Sequence, residues 1–109
     1  MPDQPYPPGL PAIFEVVRRL RAPDGCPWDR EQTHESLRPY LLEETYEALE
    51  AIDKGDDDKL QEELGDVLLQ VAMHAEIARQ DGRWDAAAVS ERVAAKMVAR
   101  HPHVFGETQ

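Results

Sequence analysis

Two groups of carboxylates stand out for the chemistry their spacing allows. Glu43-Glu44-Thr45-Tyr46-Glu47 and Glu63-Leu64-Gly65-Asp66 lie in two segments of helical character, separated by the short acidic turn Lys54-Gly55-Asp56-Asp57-Asp58. Residues three and four apart share a helix face, so Glu43, Glu44 and Glu47 cluster, and Glu63 and Asp66 form a second cluster. The turn can fold the two helices antiparallel and set one cluster opposite the other. Four or five carboxylates then converge on one small volume, where each raises the pKa of the others unless a cation fills it. A hard divalent ion with oxygen ligands relieves that repulsion, Mg²⁺ first and Mn²⁺ as a substitute. The expected chemistry is a carboxylate-held metal inside a helix bundle.

In a chain this acidic, a Glu-rich string by itself is commonly a solvated helix face. Glu63 and Asp66 differ because they are embedded among Leu60, Leu64, Val67 and Leu68, in a helix expected to be mostly buried, where unpaired carboxylates are costly. Lys59, one turn before Glu63, can either pair with it at i,i+4 or reach a ligand phosphate. His74, two turns beyond Asp66 on the same stripe, reads as a packed or hydrogen-bonded residue rather than a ligand. Trp28 is open between a core-edge aromatic and a surface on which a base stacks. Cys26 beside Pro27 reads as a small packed residue.

The elements that must position these groups are helices. Five of the nine prolines fall within residues 1–11, so residues 1–10 are expected to form an extended or disordered arm, followed by a single domain over 11–109. A first helix is expected from about Pro11 to Arg21, with Ile13, Phe14, Val17 and Leu20 on one face. The stretch Ala22 to Asp29 holds two prolines and a glycine and reads as a loop. Thr33 caps a short turn, and Pro39 fits the first turn of a second helix over about Arg38–Lys54. There Leu41, Leu42, Ala48, Leu49 and Ile52 share one arc, and Glu43, Glu44, Glu47 and Glu50 the opposite one. A third helix should run from about Asp58 to Arg79, capped by Asp56 or Asp57 and ending before Asp81-Gly82. A fourth, capped by Asp85, should run from about Ala86 to Arg100 and stop at Pro102.

The fold class is therefore all-α with four main helices. The third helix is apolar on most of its circumference, and a chain of 109 residues has few other helices to surround it. A homo-oligomer is the simple remedy.

Composition narrows the partners. With 22 acidic against 12 basic residues and a net charge of −10, the chain is a poor match for nucleic acid or an anionic membrane. A phosphorylated small molecule stays compatible, because a bound metal inverts the charge locally. Cys26 is the sole cysteine, so no intrachain disulfide forms and a reducing cytoplasm is the natural compartment. Neither a signal peptide nor a membrane-spanning apolar run is expected.

Cys26-Pro-Trp-Asp29, Glu43-Glu-Thr-Tyr-Glu47, Glu63-Leu-Gly-Asp66 and the closing Arg100-His-Pro-His-Val-Phe105 together resemble the MazG family of nucleoside triphosphate pyrophosphohydrolases. The resemblance covers about residues 10 to 106. Its two carboxylate motifs are shared across a wider all-α superfamily, whereas the two end motifs are narrower. It implies a dimer or a pair of dimers, with Mg²⁺-dependent hydrolysis of a nucleoside triphosphate to monophosphate and pyrophosphate in a site between helices. By position it implies Glu44, Glu47, Glu63 and Asp66 as metal ligands, with Glu43 near the attacking water. Lys59 would touch phosphate, and Arg100 with the segment His101 to Phe105 would help close the nucleotide site. Many members carry two such domains in tandem, and this chain resembles the N-terminal copy.

Phosphoryl-type transfer asks the protein mainly for charge neutralisation and placement of water, which the carboxylates and their metal can supply. Glu43 or Glu47 is the candidate general base. A nucleotide-pool house-cleaning role follows for this reading. The rival is a non-catalytic helical dimerisation or nucleotide-sensing module whose acidic face meets a cationic regulatory partner. That reading explains the charge but not five carboxylates on facing helices beside Lys59.

Overall fold

Residues 4–106 are described by a computed structural model, and their regular structure is all helical. Six helices follow one another: α1 (Pro11–Leu20), α2 (Pro27–Arg30), α3 (His34–Lys54), α4 (Asp57–Gln80), α5 (Ala86–Arg100) and α6 (Pro102–Phe105). Four are long, and α2 and α6 are single turns. The first residues of the expected N-terminal arm, 1–3, lie outside the described residues, as do 107–109; residues 4–10 run as bends and turns without a helix. Among the described residues, no helix is long and apolar enough to cross a membrane.

Local chemistry sets the boundaries. Pro11 stands at the start of α1, where its missing N–H costs nothing. The stretch read as a loop after α1 contains the single turn α2, because Pro27 presets a helical φ there. Gly25 brings the chain back against α1, with the Cys26 N–H donating to the Leu20 carbonyl at 2.7 Å. A Cβ on Gly25 would lie 2.2 Å from that carbonyl oxygen, so only glycine fits. Arg21 then fastens α2 by donating to the carbonyls of Asp29 and Gln32 at 2.5 and 3.1 Å.

The start of α3 differs from the expectation at Arg38. Thr33 and Ser36 form a reciprocal capping box, which fixes the N-terminus at His34 and leaves Pro39 inside the helix. Proline in the second turn removes one ladder hydrogen bond, a loss the double cap offsets. At the other end Gly55, with φ 66°, closes α3: its own N–H donates to Ile52 and that of Asp56 to Ala51. This left-handed cap reverses the chain into α4, whose N-cap Asp56 accepts from the Lys59 N–H at 3.1 Å. The result is an antiparallel α3–α4 hairpin.

The core occupies only one end of that hairpin. Val17 of α1, Leu37 of α3, and Ala72, Met73 and Ile77 of α4 are buried together, flanked by Ile13, Phe14 and Leu69. Toward the Gly55 turn the large apolar side chains face outward instead. Leu42 is 61% exposed, Tyr46 65% and Ile52 57%, and Leu64 of α4 joins them. Inward, α4 turns its polar stripe to α3, with Glu63 and Gln70 buried, rather than the leucine stripe. Helix α5 buries no residue and leaves Val89, Val93 and Met97 exposed. The radius of gyration is 16.7 Å, against about 13 Å for a compact chain of this length.

Candidate metal centre

The hairpin brings Glu44 of α3 opposite Glu63 and Asp66 of α4. One carboxylate oxygen from each lies within 4.8 Å of the others. Glu63 is 5% exposed; Glu44 and Asp66 are half-buried. Among the described residues, the single cation against them is Lys59, whose Nζ lies 3.2 Å from Glu63 and 3.8 Å from Glu62. Three carboxylates against one ammonium leave the cluster strongly negative.

The titration behaviour records that imbalance. Burial, and then the charges of Asp66 and Glu63, push the Glu44 carboxyl above its ordinary range. Asp66 is also raised, first by burial, then by the charge of Glu63 and a hydrogen bond to it. Carboxylates that raise one another in this way favour a positive charge among them. Lys59 is shifted up in turn, by its hydrogen bond to Glu63 and then by Glu62. An all-oxygen, carboxylate-rich donor set suits a hard divalent cation. The residues present therefore fit Mg²⁺ or Mn²⁺.

Of the other expected residues, Glu47 is half-buried one turn beyond Glu44 and stands outside the convergent trio, although its charge reaches both Glu44 and Lys59. Glu43 is exposed beside Glu44 and also outside the trio. Trp28, on α2, is 54% exposed and meets Tyr40 edge to face at 6.2 Å. Tyr40 sits one turn before Glu44 on the same face of α3. Arg100 is the exposed last residue of α5. His101 follows it, with a ring nitrogen 2.7 Å from the Met97 carbonyl.

Sequence reasoning singled out His74 without its partner. His34 Nδ1 lies 2.6 Å from His74 Nδ1, and the rings are parallel within 1°. A signal for this pairing was present in the register. Antiparallel helices that oppose Glu44 to Glu63 and Asp66 also oppose a residue ten positions before Glu44 to one about ten beyond Glu63. Gln70, between Asp66 and His74 on the stripe, has a buried side-chain oxygen without a hydrogen-bond partner.

The chain is also similar in sequence to known proteins. Residues 32–105 match the family model described as the MazG nucleotide pyrophosphohydrolase domain. The chain is 54% identical over 96 residues to the nucleoside triphosphate pyrophosphohydrolase/pyrophosphatase MazG of Thermotoga maritima, covering 88% of this chain and 38% of that protein. It is 46% identical over 97 residues to the nucleoside triphosphate pyrophosphohydrolase of Escherichia coli, covering 88% and 37%. Against the protein of that name from Mycolicibacterium smegmatis it is 67% identical over 71 residues, 65% of this chain and 22% of the other. The chain thus spans less than two fifths of the length of these relatives.

Proposed function

The chain belongs to the MazG nucleotide pyrophosphohydrolase domain family, and from that premise we propose that it hydrolyses nucleoside triphosphates to monophosphate and pyrophosphate with Mg²⁺ as cofactor. The observation that carries the reading is the convergence of Glu44, Glu63 and Asp66 with only Lys59 to balance them. Such a site stores repulsion that a divalent cation and its phosphate ligand remove together.

Glu44, Glu63 and Asp66 would hold the ion, with Glu47 drawn in from the adjacent turn. A bound divalent cation supplies charge neutralisation at the phosphates and a water of lowered pKa. Lys59, which meets Glu63 at 3.2 Å, would offer its ammonium to a phosphate oxygen. Glu43 or Glu47 accepts the proton of the attacking water. Trp28 and Arg100 close over the nucleoside. The attack falls on the α-phosphorus without a covalent intermediate.

We assign the outward apolar faces of α3 and α5 to contacts between copies of the chain, as a dimer or a pair of dimers. The proposed role is clearance of unwanted nucleotides from the cytoplasmic pool.

The test is pyrophosphate release from a panel of ribo- and deoxynucleoside triphosphates, with Mg²⁺ and then with EDTA. Metal-dependent release with monophosphate as co-product is expected, and in ¹⁸O-water the label should enter the monophosphate. Label confined to pyrophosphate would move the attack to the β-phosphorus. No release from any triphosphate would favour the non-catalytic module.

A further inference from the structure

Gln70 takes no part in the chemistry described above, yet it is 5% exposed and its Oε1 is sealed from solvent without a hydrogen-bond partner. A buried carboxamide that makes no bond is costly, and an apolar side chain would serve the packing better. One turn on, His74 Nε2 is sealed and unpartnered in the same way. Asp66, Gln70 and His74 stand four residues apart along α4, so they share one face. Helical side chains lean toward the N-terminus, which carries the His74 ring toward the turn of Gln70 and the Gln70 carboxamide toward that of Asp66.

The direction of each bond follows from the outer end of this face. Arg83, on the turn after α4, has a guanidinium nitrogen 2.8 Å from His34 Nε2. Asp81 at 3.4 Å and the Trp84 ring, 5.8 Å from the guanidinium carbon, keep it there. A guanidinium only donates, so His34 Nε2 accepts and the His34 proton sits on Nδ1. His34 Nδ1 lies 2.6 Å from His74 Nδ1 and donates to it, which puts the His74 proton on Nε2. Burial and then the neighbouring His34 hold His74 below the ordinary histidine range, in keeping with a neutral ring. The two sealed atoms are then complementary, His74 Nε2–H a donor and Gln70 Oε1 an acceptor. They make no direct bond, and one water molecule that accepts from the first and donates to the second satisfies both.

We propose that the hairpin seam binds a water molecule between His74 and Gln70, and that this water completes a line of hydrogen bonds from Arg83 through His34, His74 and Gln70 to Asp66. Every bond in the line is donated in one direction, away from the Arg83 cation and toward the carboxylates. Bonds aligned in this way polarise one another. The line ends on a Gln70 N–H given to the Asp66 carboxylate, a pairing that the i,i+4 spacing supports. That donor holds one Asp66 oxygen and leaves the other to the trio with Glu44 and Glu63. Gln70 is thus a positioning residue for Asp66. Its value to a metal ligand rests on the function proposed above; the water and the tautomers do not.

Two measurements test the line, neither with nucleotide. In ¹⁵N NMR of the metal-free full chain at pH 8, the protons should sit on His34 Nδ1 and His74 Nε2, with a nuclear Overhauser contact from the His74 Nε2–H to a long-lived water. A His74 proton on Nδ1, or no water contact, would overturn the proposal. Mn²⁺ binding, read by electron paramagnetic resonance, should weaken about tenfold in Gln70→Met, while the midpoint of urea unfolding stays at or above the parent value. A merely structural role would lower affinity and stability together. That result, or a Mn²⁺ affinity within about twofold of the parent, would also overturn it. A protein that meets both expectations and hydrolyses no triphosphate would refute the function proposed above and leave the line in place.

Discussion

Helix α4 buries two glutamates and treats them oppositely. Glu76, 7% exposed, receives both a 2.9 Å and a 2.6 Å hydrogen bond from the Arg79 guanidinium, a fork that matches one carboxylate with one cation. Glu63 is as deeply buried, yet it meets one lysine and two further carboxylates. Burial alone therefore does not mark the functional residue; unbalanced charge does. Glu76 sits where α1 and α4 make the core, and its closed pair keeps that core neutral. Glu63 sits where the hairpin has no core, and its surplus charge is what a cation would use.

The largest effect expected from this contrast is on turnover. Asp66→Asn or Glu63→Gln should cut metal-dependent hydrolysis by about 4 kcal/mol of transition-state stabilisation, roughly a thousand-fold, in a protein that keeps its helical circular dichroism. Glu76→Gln should leave kcat of the folded protein within about threefold, because its partner Arg79 can turn to water. Equal loss of turnover in all three would erase the distinction between the two glutamates.

Next comes stability. Arg79→Met strands a buried carboxylate and should cost about 3 kcal/mol in urea unfolding at pH 7. Lys59→Met, at the other glutamate, removes a half-exposed ammonium and should cost much less than Arg79→Met.

Metal should separate the two sites again. Mg²⁺ at a hundredfold excess over its Kd should stabilise the parent by about 2.7 kcal/mol. The same increment should persist in Arg79→Met and vanish in Asp66→Asn, as read by calorimetric unfolding with and without EDTA.

How much of this was readable in the residues divides along the same line. Caps are local, so Asp56 or Asp57 and Asp85 announced the starts of α4 and α5, and the i,i+4 spacing offered Glu63 as one of two partners for Lys59. Pro39 misled at the start of α3, since a proline is equally at home in a first turn, and the Thr33–Ser36 box that decides the matter is a pairwise bond. The convergence of Glu44 on Glu63 and Asp66 was legible because a Gly-led turn forces an antiparallel hairpin. The outward direction of Leu42, Leu49 and Ile52 was not, because an apolar arc shows that a helix face wants cover without saying what provides it. His34–His74 depends on register, and Arg83, which meets His34, stands on a turn outside both helices.

The smallest expected effect is the most diagnostic of stored repulsion. Glu44 and Asp66 both titrate above their ordinary values, so the folded metal-free protein binds protons more readily than the unfolded chain. Their contribution to stability is then fully present below the usual carboxylate pKa and is lost as pH rises through the folded values. The unfolding free energy of the metal-free protein should carry a downward component as pH rises above the ordinary carboxylate range. Its size should stay under about 1 kcal/mol, because both groups are partly open to solvent and screened. Comparison with Asp66→Asn isolates the component: the variant should show a shallower fall and, at pH 7, a stability equal to the parent or about 0.5 kcal/mol above it. Saturating Mg²⁺ should reverse the slope, since the ion competes with protons for the same oxygens. An Asp66→Asn protein with a steeper fall than the parent would mean that the carboxylates are already balanced in the folded chain, and that Glu63, like Glu76, is simply a paired core residue.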